Sequence, residues 1–207
     1  MTVPEMDLPA QPATRADAQR DRILCAALRC FIESGFHAAS MASIAEAARM
    51  SPGLIYRYFD NKQAIVLAIV QRQLEEKRQL IRALHSSEQF AADLLRVFEE
   101  WCAQESQSMS VALFLEMSAE ATRDPRIAQA LRVSDEATRA EFTGWLSRSR
   151  AEGGLGLSEG EASRRALEAR FVVDGLAVRA AREPGIDRQE LRSAVQGLVG
   201  RILGSGS

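Results

Sequence analysis

Within the seven residues YRYFDNK, from Tyr56 to Lys62, the chain brings together two phenols, a guanidinium and an ammonium. These are hydrogen-bond donors suited to phosphate oxygens and, for the guanidinium, to base edges. Lys62 also opens a helix, whose N-terminal dipole attracts phosphate. The plainer reading makes Phe59 core, allows the same for Tyr58, and leaves Tyr56 and Arg57 as ordinary surface. For Phe59 the core reading is adopted.

Other chemistries find little support. There are only two histidines, His37 in a loop and His85 near a helix end. No nucleophile motif, glycine-rich phosphate cradle or metal-ligand cluster accompanies them, so no enzyme activity and no cofactor are expected. Cys25, Cys30 and Cys102 are too few and too unevenly spaced for a disulfide framework. Cys25 and Cys30 stand five positions apart on a helix and face different ways, which argues against a redox pair.

A chain of 207 residues can bury a sizeable core as one large domain or as a small one joined to a larger one. Residues 1–14, polar and proline-bearing, read as a disordered tail rather than a signal peptide, and the closing GSGS as a loose end. The longest apolar run, AIVLAIV, is far short of the roughly 20 residues of a membrane span. A soluble, cytoplasmic protein without a membrane partner is expected. The net charge of −2 conceals a mildly basic front, with seven Lys/Arg against five Asp/Glu over residues 15–62.

The elements that position YRYF are helical. Strand signals are nearly absent and Ala, Leu, Glu and Arg dominate, so the chain reads as all-α. A first helix spans about Ala16 to Ser34 and stops at Gly35. Ser40 caps a short helix to about Ala48; Ser51 and Pro52 open another ending near Phe59. Asn61 caps a fourth, to about Leu84. Five more follow, from Ser86 to Ala103, Ser108 to Thr122, Asp124 to just before Gly153, Ser158 to Arg182, and Asp187 to Leu203. The result is a three-helix N-terminal module on a six-helix body.

The two short helices form a helix-turn-helix, whose second helix enters a DNA major groove. Ala45, Ala47 and Ala48 let the helices approach, Ile44 and Ile55 fill the space between them, and Pro52 and Gly53 let backbone come near DNA. The ordered set Phe31, Gly35, Ile44, Ala45, Ser51, Gly53, Tyr56, Phe59 and Lys62 resembles the DNA-binding domain of TetR/AcrR-family bacterial transcriptional regulators over about residues 18–70. The resemblance implies a homodimer binding a palindromic operator, usually a repressor released by a small molecule. It divides the chain into a helix-turn-helix domain over 15–62 and a ligand-binding and dimerisation domain over 63–203. It assigns backbone phosphate to Tyr56 and Lys62, and base edges to Pro52, Gly53, Leu54 and above all Arg57. Tyr58 and Ser40 are further candidates for the backbone.

Two departures from the family pattern stand out. Arg49 occupies a turn position that usually holds glycine, which costs on the order of 1 kcal/mol of strain and adds a cation for phosphate. Ala42 and Leu54 replace polar residues, so side-chain readout of bases is sparse and DNA shape gains weight.

In the body, FLEMSAEATRDPRIAQALR and FVVDGLAVRAAREPGIDRQEL are similar to the C-terminal halves of a subgroup with betaine- and drug-responsive members. Phe98, Trp101, Phe114, Met117, Phe142, Trp145 and Phe171 are the large soft residues available to wall an effector pocket, with Glu120 and Asp174 as polar candidates. Each is equally suited to core, and Glu116, Glu120 and Asp174 to ion pairs with Arg123, Arg126 or Arg170. The last two helices are expected to pair with their twofold copies through Leu167, Phe171, Leu191, Val195, Leu198 and Ile202. The rival readings are a DNA-binding regulator without small-molecule control, and an activator.

Overall fold

The computed structural model describes residues 14–103 and 110–204. Most of the tail expected over 1–14, the start assigned to the sixth helix and the end of GSGS lie outside them. Thr14 is described. Its side chain accepts from Asp17 N while Asp17 answers back to the Thr14 backbone, so it caps the first helix.

Among the described residues there are nine α-helices and no strand. They are α1 (Arg15–Ala38), α2 (Met41–Ala47), α3 (Pro52–Tyr56), α4 (Lys62–Arg82), α5 (Ser87–Ala103), α6 (Val111–Glu120), α7 (Pro125–Ser147), α8 (Glu159–Arg182) and α9 (Arg188–Leu203). None is long and apolar enough to cross a membrane.

The expected caps form. Ser40, Ser51, Asn61, Ser158 and Asp187 each accept a backbone N–H from the first turn of α2, α3, α4, α8 and α9. Helix α1 resumes past its expected stop, Gly35, which is non-helical at φ 78°, and ends at Ala38. Two further boundaries differ from expectation for local reasons. The regular part of α3 ends at Tyr56, and the N–H groups of both Tyr58 and Phe59 then close onto the Ile55 carbonyl at 2.9 and 3.0 Å. α7 ends at Ser147; the Ser149–Glu152 capping box opens a 3₁₀ turn over Arg150–Glu152, which Gly153 terminates at φ 78°.

Packing is organised around two apolar clusters. The first holds Ile23, Phe31, Ile44, Ile55 and Phe59 of the N-terminal helices, joined by Leu113, Met117 and Ile127 from the body. The second holds Trp101, Phe142, Trp145, Leu176, Val195 and their neighbours from α4, α5, α7, α8 and α9. Helix α4 belongs to both: Ile65, Val66, Ile69 and Val70 enter the first, and Ile81 the second. Apolar residues at this 3–4 spacing along one helix bury a continuous stripe, so α4 is the beam that ties the three-helix head to the body.

Candidate nucleic-acid interface and body cavity

The α2–turn–α3 unit is fixed from inside. Ile44 and Ile55 are fully buried and Ala45 and Ala48 nearly so, which brings the two helices together with no bulky side chain between them. Arg49 stands in the turn at φ 52°, the left-handed conformation that a non-glycine residue adopts at a cost of about 1 kcal/mol. The turn is held by α1. Arg22 donates through Nε to Ala48 O at 2.7 Å and through a terminal nitrogen to Arg49 O at 2.9 Å, while Arg29 reaches Ala47 O at 3.1 Å. These bonds satisfy the carbonyls left open at the end of α2, and their positive charge complements its dipole.

The outer surface of this unit carries most of the sequence candidates. Ser40, Arg49, Pro52, Gly53 and Arg57 are exposed, and Tyr56 is 53% exposed, an unusual setting for a tyrosine with no partner element over it. Leu54 is half-buried at the edge of the same face. Tyr58 is half-buried against the first core, so its ring is largely structural. Gly53 is informative because a Cβ added there would meet nothing within 4 Å. No contact inside the protein requires glycine in α3, although glycine costs roughly 1 kcal/mol there relative to alanine. Close approach of an external backbone gives it a reason.

Lys62 is placed differently from expectation. Its Nζ donates to Phe36 O at 2.5 Å and to Ala39 O at 2.8 Å, and it sits 4.3 Å from the centre of the Phe36 ring. Burial holds its pKa below the ordinary lysine value. The ammonium is thus committed to the end of α1 instead of being presented to a phosphate. The sequence reading gave no role to Arg22, Arg29 or Arg20; the last packs 4.5 Å over the Phe59 ring and donates to Tyr58 O at 3.3 Å. They were visible only as positive charges, because nothing in the spacing shows which carbonyls they meet.

Glu116 and Glu120, one turn apart on α6, also have partners other than those expected. Gly35 breaks α1 at φ 78°, and the freed N–H of Phe36 donates to Glu116 Oε2 at 3.0 Å. One turn on, Glu120 Oε2 lies 3.0 Å from His37 Nε2. Neither Arg123 nor Arg126 intervenes. Glu120 therefore joins head to body.

A half-open cavity of about 630 Å³ lies between α4, α5, α7 and α8 of the body. This is within the usual range for small-molecule sites, roughly 300–1,000 Å³. Of the nine sequence candidates, Trp101, Phe142, Phe171 and Asp174 line it. Phe98 faces a smaller cavity of about 350 Å³ between α5 and α9. Phe114, Met117, Glu120 and Trp145 line neither. Phe114 packs against the second cluster and Met117 is buried in the first. Trp145 is fully buried, donating Nε1–H to Gly153 O at 3.0 Å. Where α7 and α8 meet, a terminal nitrogen of Arg170 lies 3.0 Å from Asp135 and 3.2 Å from Asp174, the Asp174–Arg170 pairing weighed from sequence. Burial raises the Asp174 pKa, partly opposed by Arg170. Lys77, also on the cavity wall, is pushed the other way by burial, with Arg170 adding to the effect.

The six residues expected in a dimer seam divide. Leu191 and Val195 are buried within the subunit, and Ile202 packs against the same core. Leu167, Phe171 and Leu198 are exposed, Phe171 to 64%.

Residues 23–69 match the model for bacterial regulatory proteins of the tetR family, and residues 90–204 match that for the C-terminal part of BetI-type transcriptional repressors. The chain belongs to the TetR family. It is 34% identical over 117 residues to the HTH-type transcriptional regulator UidR of Escherichia coli K12, covering 55% of this chain and 57% of UidR. It is 30% identical over 95 residues to the HTH-type transcriptional activator FasR of Mycolicibacterium smegmatis, covering 44% and 43%. The chain spans about half the length of the curated relatives it matches. Its fold is similar along nearly its whole length to Salmonella enterica GusR, with a TM-score of 0.76, 25% identity, and coverage of 93% of this chain and 98% of that one. This TetR-family chain thus carries both the DNA-binding part and the C-terminal part that the two models describe, and its relatives are transcriptional regulators.

Proposed function

We propose that this TetR-family regulator is a homodimeric repressor that binds a palindromic operator and is released when a small molecule enters the body cavity. The observation that carries the reading is the pairing, in one chain whose N-terminal helices and body share an apolar cluster, of an outward helix-turn-helix face with a roomy apolar cavity. Tyr56 supplies a phosphate contact, Arg57 reads a base edge, and Arg49, Ser40 and the exposed backbone at Pro52 and Gly53 fit the duplex surface. Residues 15–62 contribute this reading surface and 63–203 the sensor and the seam. Leu167, Phe171 and Leu198 form the outward apolar part of α8 and α9, suited to a twofold partner. Two heads are needed because one alone reaches a single half-site. Repression is favoured over activation by the match to the BetI-type repressor model across more than half the chain.

Selection of bound duplexes from a random pool, followed by titration of the enriched site at two salt concentrations, tests this. An enriched inverted repeat bound by two copies is the expected result. A single half-site bound by a monomer would overturn the dimer and the palindrome together.

A further inference from the structure

The charge around the cavity points to a ligand chemistry, on the reading that this cavity is the effector site. Its walls are mostly apolar, with Leu80, Ile81 and Leu84 from α4, Phe90 and Leu94 from α5, and Phe142 from α7. Four cationic side chains line it, Lys77, Arg132, Arg139 and Arg170, and four carboxylates, Asp93, Asp135, Glu136 and Asp174. Asp93 shares Arg96, which is not on the wall, with Glu100, at 3.0 and 2.7 Å. The lining charges balance in number, so what separates them is which already have partners.

The four cations differ in their partners. Arg170 already serves both Asp135 and Asp174 through one nitrogen. Arg139 donates to Ser163 at 2.9 Å and, like Arg132, is exposed at the rim. Lys77 is half-buried on the wall and feels Asp135 and Asp174 electrostatically, yet among the described residues it makes no hydrogen bond and no ion pair. A desolvated ammonium with open donors next to an apolar space is the group a ligand anion satisfies best. Asp135 and Asp174 both lie within ion-pair distance of Arg170, although Asp174 Oδ1 makes no hydrogen bond, which is why a cationic competitor belongs in the test.

We infer that the cavity takes an amphipathic carboxylate, an alkyl or aryl acid whose apolar body lies along α4, α5 and α7 and whose carboxylate pairs with Lys77. Calorimetric titration of the full chain, without DNA, with decanoate, 4-phenylbutyrate, their corresponding alcohols and decylammonium tests this below micellar concentrations. At least one acid is expected to bind saturably, about tenfold or more tighter than its alcohol, as one charge-assisted hydrogen bond would give. Lys77→Met is expected to reduce the acid to its alcohol's affinity while leaving alcohol binding unchanged, and Lys77→Arg to retain most of the preference. Retained alcohol binding shows that the variant cavity is intact. Equal binding of acid and alcohol, tighter binding of decylammonium, indifference to Lys77→Met, or no binding of either acid would overturn the inference. A parallel titration with the selected duplex separates the two claims. Acid binding that leaves DNA affinity unchanged would uphold the site and refute effector release.

Discussion

Glu120 Oε2 lies 3.0 Å from His37 Nε2, and one turn earlier on the same helix Glu116 accepts the Phe36 N–H at 3.0 Å. Together the two carboxylates fasten α6 to the point where Gly35 breaks α1. The Glu116 bond involves a partly buried N–H that has lost its helical acceptor. Glu116→Ala is expected to destabilise the chain by about 1–3 kcal/mol, the cost of an unsatisfied buried donor. His37 is largely exposed, so His37→Ala should cost under about 1 kcal/mol. Urea unfolding of both variants checks the order; an equal loss would contradict it.

Gly53 gives a prediction of opposite signs. With open space around its Cβ position and a helical backbone, Gly53→Ala is expected to stabilise the protein by about 0.5–1 kcal/mol. The added methyl faces the proposed DNA surface, so the same variant should bind the selected duplex more weakly. Tm and duplex affinity measured on one preparation decide it, and a variant that gains in both would remove the backbone-approach explanation.

Lys62 and Arg57 should separate stability from reading. Lys62→Met removes charged hydrogen bonds to Phe36 O and Ala39 O and is expected to cost about 1.5–3 kcal/mol of stability. It should alter the salt dependence of DNA binding by well under the roughly one unit expected of a phosphate contact. Arg57→Ala should leave stability within about 0.5 kcal/mol and relax preference at one base position. Competition between specific and random duplexes over a salt series distinguishes them.

The folded state lowers the pKa of Lys77, so protonation of this residue is harder in the folded chain than in the unfolded one. Above the ordinary lysine value of about 10.4 both states are neutral there and no penalty exists. As pH falls from there toward the depressed folded value, the unfolded chain takes up the proton first and stability is lost, the loss being complete below the folded value. Lys77→Met is therefore expected to be more stable than the parent at pH 7 when no ligand is present, the difference shrinking toward pH 10.5. Denaturation at several pH values reads this directly, and a difference that grows with pH would contradict it.

The seam residues predict two different failures. Phe171→Glu changes an exposed side chain and should yield folded monomers, whereas Val195→Glu buries a charge in the subunit core and should unfold it. Circular dichroism with sedimentation tells these apart. A Phe171→Glu variant that remains dimeric would move the seam elsewhere.

Much of the head was legible because its signals are local. Ser40, Ser51 and Asn61 announce caps within three residues, and the small residues at 45, 47 and 48 announce a close helix crossing. Arg49 carried its left-handed turn in its position alone. The carbonyl partners of Lys62 lie 23 to 26 residues away along the chain, beyond the reach of any local pattern. The body was harder for the same reason. Trp145 and Phe142 are alike in sequence terms, three residues apart on α7, yet only Phe142 reaches the cavity while Trp145 is turned to Gly153. Leu191 and Val195 share a stripe with Leu198, but rotation of α9 about its axis buries the first two and leaves the third out.

Because α4 feeds Ile65, Val66, Ile69 and Val70 into the first core, and Leu113, Met117 and Ile127 arrive there from the body, the DNA-reading module is not a detachable part. A fragment ending at Lys62 would lack seven buried side chains of its own core. Any graft of this head onto another sensor must carry the first half of α4 and supply a surrogate for α6. The chain is therefore expected to unfold as one cooperative unit, because the N-terminal helices and the body share these hydrophobic contacts.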